Sequence, residues 1–197
     1  VGDKLSPLTA RELLTHVSGL PPWWEEQSTR ADTIAKLFSL TPAAEQRGKI
    51  VYSCTGYSMY AMSLERKFGL AFDQILRSRL LDPLGLEGTV FNPPSNRFEV
   101  VVAREPEEDV PLGVVHDPRA RALDGISGNA GLFANAAQVA QFLDALAGGE
   151  GSIITQGVRR ELFSPTAKSE WEQAIGFRFR DTDRLGNASY FFSHSGF

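Results

Sequence analysis

Apolar positions recur with helical spacing through the first two thirds of the chain and switch to strict alternation near its end. Thr9 and Glu12 have the three-residue spacing of a capping box, in which each side chain satisfies an orphan backbone donor, and Leu13 and Leu14 then face a core. Gly19 is placed to take the left-handed turn that ends this first helix. Ile34, Leu37 and Phe38 share one face of a second helix predicted over Ser28 to Leu40. After a turn at Gln46-Arg47-Gly48, the short apolar piece Ile50-Val51-Tyr52 leads into a third helix from about Thr55 to Phe68. Tyr57, Tyr60, Ala61, Leu64 and Phe68 lie on one side of it, and Gly69 stops it. A fourth helix, about Phe72 to Leu81, ends at the turn Asp82-Pro83-Leu84-Gly85.

Val100 to Ala103 reads as a strand, followed by an acidic, solvated loop from Glu105 to Pro111. The glycine-rich stretch Asp124 to Gly131 precedes a helix whose N-cap is Asn135, with Gln138 at the third helical position, and Gly148-Gly149 closes that helix. In the tail, Ile175, Phe177 and Phe179 alternate with Arg178 and Arg180, the period of a half-exposed strand. A loop from Asp181 to Asn187 turns the chain into Ala188 to His194, so the segment from about 174 to 197 reads as an antiparallel hairpin. Helices over about 8–150 followed by a hairpin, without strand-helix-strand alternation, predict an α+β fold in one domain.

Composition narrows the function. Of 197 residues, 42% are hydrophobic and 22% charged, as in an ordinary folded domain. With 20 basic and 24 acidic residues intermixed, the chain offers no electrostatic footprint for nucleic acid or anionic membrane. One cysteine and three histidines supply neither a disulfide nor a zinc-spaced set, so no metal and no cofactor are expected. No apolar run approaches the ~20 residues of a membrane-spanning helix, and the compartment is left undetermined between cytoplasmic, periplasmic and extracellular. The glycine-rich stretch lacks the spacing of a nucleotide-binding loop.

Candidate chemistry gathers at a few points. Tyr52 stands where an extended piece meets a helix N-terminus, whose positive end favours a phenolate; the alternative is a packing tyrosine bonded to backbone. His194 lies at the end of the last strand, followed by Ser195 and Gly196, a glycine that lets another backbone approach closely. Trp23, in the Pro21-Pro22-Trp23-Trp24 loop, is a candidate pocket wall. His16 and His116 are read as ordinary satisfied polar residues.

Four segments, LTARELLTHVSGLP, GKIVYSCTGYSMYAMSLE, DGISGNAGLFANAAQVAQFL and FFSHSGF, occur in the order and rough spacing of the serine β-lactamase and penicillin-binding-protein superfamily. Together they resemble its class C-like branch of esterases, peptidases and penicillin-binding proteins, which are bacterial serine hydrolases. That superfamily carries Ser-x-x-Lys, a Ser-Asp-Asn or Tyr-x-Asn element and a Lys-Thr-Gly element. The resemblance implies a β-lactamase-like fold and an acyl-enzyme mechanism on an ester, amide, peptide or β-lactam. It implies that Tyr52 shuttles the proton of the nucleophilic serine and the leaving group. It gives His194 and Ser195 the role of positioning substrate and supporting Tyr52, and makes the backbone N–H of Phe197 an oxyanion donor. Cys54, Ser195, Gly196, Phe197, Asn129 and Trp23 are the expected substrate-binding residues.

Two positions depart from the pattern. Cys54 stands where the family has asparagine, and a thiol cannot reproduce an amide's two-sided hydrogen bonding. His194 stands where lysine is common, replacing an obligatory cation with a group that can be neutral at pH 7. No Ser-x-x-Lys occurs: Ser63 to Arg66 ends in arginine, Ser164 to Lys168 is one residue too long, and Thr33 to Lys36 carries threonine. The expectation is therefore an incomplete domain, truncated at both ends, whose nucleophile lies upstream and which is inactive alone. An open sheet edge would then favour self-association. The alternative is a non-catalytic homologue that binds a peptide or cell-wall ligand.

Overall fold

A computed structural model of the chain describes residues 7–94, 109–149, 152–165, 167–168, 172–181 and 190–194. The helical part begins with α1 (Ala10–Leu14), where Thr9 and Glu12 form the capping box in full. Arg47 extends the box by bonding Glu12 Oε1 at 2.6 Å. That partner, ahead of the opposing effect of burial, holds the Glu12 carboxyl down at about 2. α2 (Arg30–Ser39) is capped by Thr29, and it buries Leu37 while Ile34 and Phe38 pack against the same cluster, as the periodicity predicts.

α3 (Cys54–Phe68) is the central helix, packed against α1, α2 and α4 (Phe72–Leu76). Its buried face differs from the expected aromatic stripe: Thr55, Gly56, Ser58, Met59, Ala61 and Met62 are inside, whereas Phe68 is exposed. Small residues are required there because neighbouring backbone runs against the helix. A Cβ on Gly56 would sit 2.6 Å from the Leu13 carbonyl oxygen. From the glycine-rich loop, Gly128 comes close enough that its Cβ would meet the Tyr57 carbonyl oxygen at 2.3 Å. Gly69 ends the helix in the left-handed conformation, as expected.

The fourth predicted helix is shorter than its pattern, because after Leu76 the chain widens into a π-helical turn over Arg77–Leu81 before Asp82. β1 (Val90–Phe91) pairs with β2 (Leu132–Phe133), a ribbon too short to leave an alternating signature. Between them α5 (Pro118–Arg121) is capped by Asp117. α6 (Ala136–Ala147) has Asn135 as its N-cap and left-handed Gly148 at its end, both as expected, and α7 (Gln156–Leu162) follows.

The tail forms an antiparallel sheet in the order β3 (Ala167–Lys168), β4 (Glu172–Ala174), β5 (Phe177–Asp181), β6 (Tyr190–Ser193). The predicted hairpin is β5 and β6, with Arg178 opposite Ser193 and Asp181 opposite Tyr190. Ile175 is not part of the alternating strand: with Gly176 at a φ of +75° it makes the tight turn between β4 and β5. The expected strand Val100–Ala103, the first part of the acidic loop (105–108) and nearly all of the Asp181–Asn187 turn lie outside the described residues. The architecture is α+β, and the Leu14 carbonyl is one place where the two parts meet. Leu14 O, at the end of α1, accepts from the Tyr57 hydroxyl at 2.9 Å and from Gly176 N–H at 3.4 Å.

Candidate active site

That meeting point brings β5 and the end of β6 over the N-terminus of α3. Ser53 caps the helix, accepting Gly56 N–H at 3.3 Å and donating its hydroxyl to Pro21 O at 3.0 Å. Cys54 N–H is donated to Pro22 O at 2.9 Å, so the Pro-Pro loop is stitched to the helix start. Tyr52, one residue before the cap, is left 39% exposed. Its ring lies 4.7 Å from His16, 6.2 Å from His194 and 5.6 Å from the Arg178 guanidinium carbon. Tyr57 forms the floor, its ring 5.2 Å from His16 and 6.3 Å from His194.

The two predicted corners therefore converge: Tyr52 and His194 face one another across a site that also holds Cys54. The Cys54 thiol interacts with both the Tyr52 and the Asn129 side chains. Asn129 is anchored by its oxygen, which accepts from Ser58 Oγ at 2.8 Å and Ser127 Oγ at 2.6 Å, while its buried Nδ2 has no hydrogen-bond partner of ordinary geometry. Trp23 is 64% exposed, and it is its neighbour Trp24 that enters the core beside Leu37 and Met62. Ser195, Gly196 and Phe197 lie outside the described residues.

The electrostatics correct one expectation. Tyr52 does not sit in a field that favours its phenolate: burial first, and the neighbouring Cys54 thiol next, push the phenol above its ordinary value, against the downward pull of Arg178. The helix end is already occupied by the Ser53 cap and two proline carbonyls. Burial also raises the Cys54 thiol, with Asp117 adding to the effect. Cys54 is thus expected to react with iodoacetamide more slowly than a free thiol at pH 7.5, because the thiolate is the nucleophile. Alkylation at the rate of free cysteine would contradict this placement.

Two site residues escape the sequence reading. His16, assigned to the ordinary polar class, is 3% exposed and packs between both tyrosines. Burial, followed by the nearby His194 and Arg178 charges, lowers it to about 4. Arg178 belongs to the polar side of the alternating tail, and its pairing opposite Ser193 places it next to His194; the signal was the hairpin register, which needs both strands to read. Among the described residues no group of His, Cys, Asp or Glu could hold a metal ion, and no helix is long and apolar enough to cross a membrane.

Comparison with known proteins gives a consistent family. The sequence model described as Beta-lactamase matches residues 2–196. A putative D-alanyl-D-alanine carboxypeptidase of Salmonella agona (strain SL483) is 28% identical over 182 residues, covering 76% of this chain and 42% of the relative. The chain thus spans less than half the length of such relatives. Among solved structures, the D-amino acid amidase from Ochrobactrum anthropi SV3 superposes with a TM-score of 0.66 at 22% identity, covering 98% of this chain and 58% of that one. A beta-lactamase from Sulfitobacter sp. EE-36 gives a TM-score of 0.67 at 21% identity, covering 89% and 48% respectively.

Proposed function

The chain belongs to the beta-lactamase family, and from that premise we propose that it supplies the tyrosine-bearing wall of a serine hydrolase working through an acyl-enzyme. The observation that carries this reading is the convergence of Tyr52, His194 and Arg178 at the capped start of α3. In the proposed reaction a serine outside these residues attacks a carbonyl carbon and the bond to the leaving group breaks. The serine proton passes through the Tyr52 oxygen to that leaving group. Because the Tyr52 phenol is raised, it works as a neutral relay that accepts one proton as it gives another, and not as a resident phenolate. His194 and Arg178 steady the negative charge that grows on the phenol oxygen during transfer.

The related carboxypeptidase and amidase support an amide or peptide bond next to a D-amino acid as the substrate class. Release of D-alanine from an acyl-D-Ala-D-Ala peptide by the whole protein tests it, with a simple ester as comparison. Ester turnover alone would move the reading to an esterase. Cys54 and the raised Tyr52 favour one second reading, a homologue that binds peptide without turnover. Saturable peptide binding with no acyl adduct would select it. Self-association through the edge of the four-stranded sheet is part of the proposal, and a monomer by light scattering would remove it.

A further inference from the structure

His16 does more than fill space beneath Tyr52. Its carbonyl oxygen accepts Val51 N–H at 2.9 Å, and its ring Nδ1 accepts Ser53 N–H at 3.1 Å. One residue thereby holds the amides on both sides of Tyr52, and its ring also lies against the tyrosine ring at 4.7 Å. This double grip comes with a backbone φ of +60°, a conformation unusual for any residue with a Cβ and one that concentrates at functional sites. Among the described residues, the Tyr52 and Tyr57 rings and the Ser53 N–H face the imidazole, and the electrostatic influence of His194 and Arg178 reaches it from the sheet.

We propose that His16 is the positioning residue of the reaction, a neutral, tautomer-fixed clamp that sets the Tyr52 hydroxyl in register with His194. The inference rests on the reading of Tyr52 as the proton relay. With Nδ1 accepting, the ring proton must sit on Nε2. Protonating Nδ1 abolishes the acceptor and releases Ser53 N–H. The ring is lowered to about 4 by burial first, and then by the electrostatic influence of His194 and Arg178. The sign follows: the clamp is closed above that pH and opens as the pH falls through it.

Two variants of the whole protein separate this role from simple packing. His16→Asn keeps an acceptor near the position of Nδ1 and tolerates positive φ, but it does not titrate. His16→Ala keeps neither acceptor nor ring. Serine phosphonylation by a fluorophosphonate is expected to slow by about 10- to 100-fold in His16→Ala through misplacement of the relay. His16→Asn should retain most of the rate and lose the acid limb near pH 4. Two folded variants equally slow, or an acid limb unchanged in His16→Asn, would overturn the clamp. Long-range proton–nitrogen NMR of wild-type protein reads the ring directly at pH 7. A bare Nδ1 and protonated Nε2 are expected, and a proton on Nδ1 would overturn the proposal even where no adduct forms and the hydrolase reading itself has failed.

Discussion

Tyr52→Phe in the whole protein is expected to lower the rate of acyl-enzyme formation by about 10²- to 10⁴-fold, the range for losing a positioned proton-transfer group. Substrate affinity should change far less. The substitution removes one oxygen and leaves the ring, so the stacking against His16 and the contact with the Arg178 guanidinium persist. Ser53 still caps α3, because its bonds run to Gly56, Pro21 and His16 and not through the phenol. What would disappear is the single atom proposed to carry the serine proton to the leaving group. Single-turnover labelling and steady-state kinetics together make the check. A fall in kcat with KM preserved is expected, and a Tyr52→Phe protein with full kcat would show that the tyrosine is only part of the wall.

Gly131→Ala is expected to destabilise the fold by about 3 kcal/mol, the sum of a left-handed backbone penalty and an overpacking penalty. Gly131 has a φ of +110°, and a Cβ there would fall 2.2 Å from the Gly125 carbonyl oxygen. Gly125 is itself left-handed at +76°, so the backbone on the far side cannot retreat without breaking a second turn. The strain would reach the site because Asn129, between the two glycines, is tied to Ser58 on α3. Gly48 is the control: it has a φ of +89° but nothing within 4 Å of its would-be Cβ. Gly48→Ala should therefore lose only about 1–2 kcal/mol. Denaturant unfolding of both variants distinguishes them, and equal midpoints would contradict the packing argument.

Legibility in the sequence followed how local each feature is. Capping chemistry is legible at Thr9 and Asn135, because a cap is fixed by residues three apart. The apolar face of α2 was equally visible. The buried face of α3 was not, because its neighbours are backbone atoms of α1 and the glycine-rich loop, and close backbone approach selects small residues over apolar ones. The pairing of Tyr52 with His194 was legible only through family resemblance, since 142 positions separate them. His16 was hidden for the opposite reason: a histidine near a helix end gives no sign that the chain will turn left-handed there and present two acceptors at once. Arg178 looked like the solvent side of an amphipathic strand, and only its partner strand turns that side into a site wall.

The most direct test of a serine hydrolase built around Tyr52 is the mass of the whole protein after fluorophosphonate treatment, with the labelled peptide sequenced. One adduct is expected, on the serine of a Ser-x-x-Lys segment outside these 197 residues, forming slowly in the Tyr52→Phe protein. No adduct, or an adduct on a serine within this chain, would contradict the assignment of Tyr52 and His194 as the chain's share of the active site.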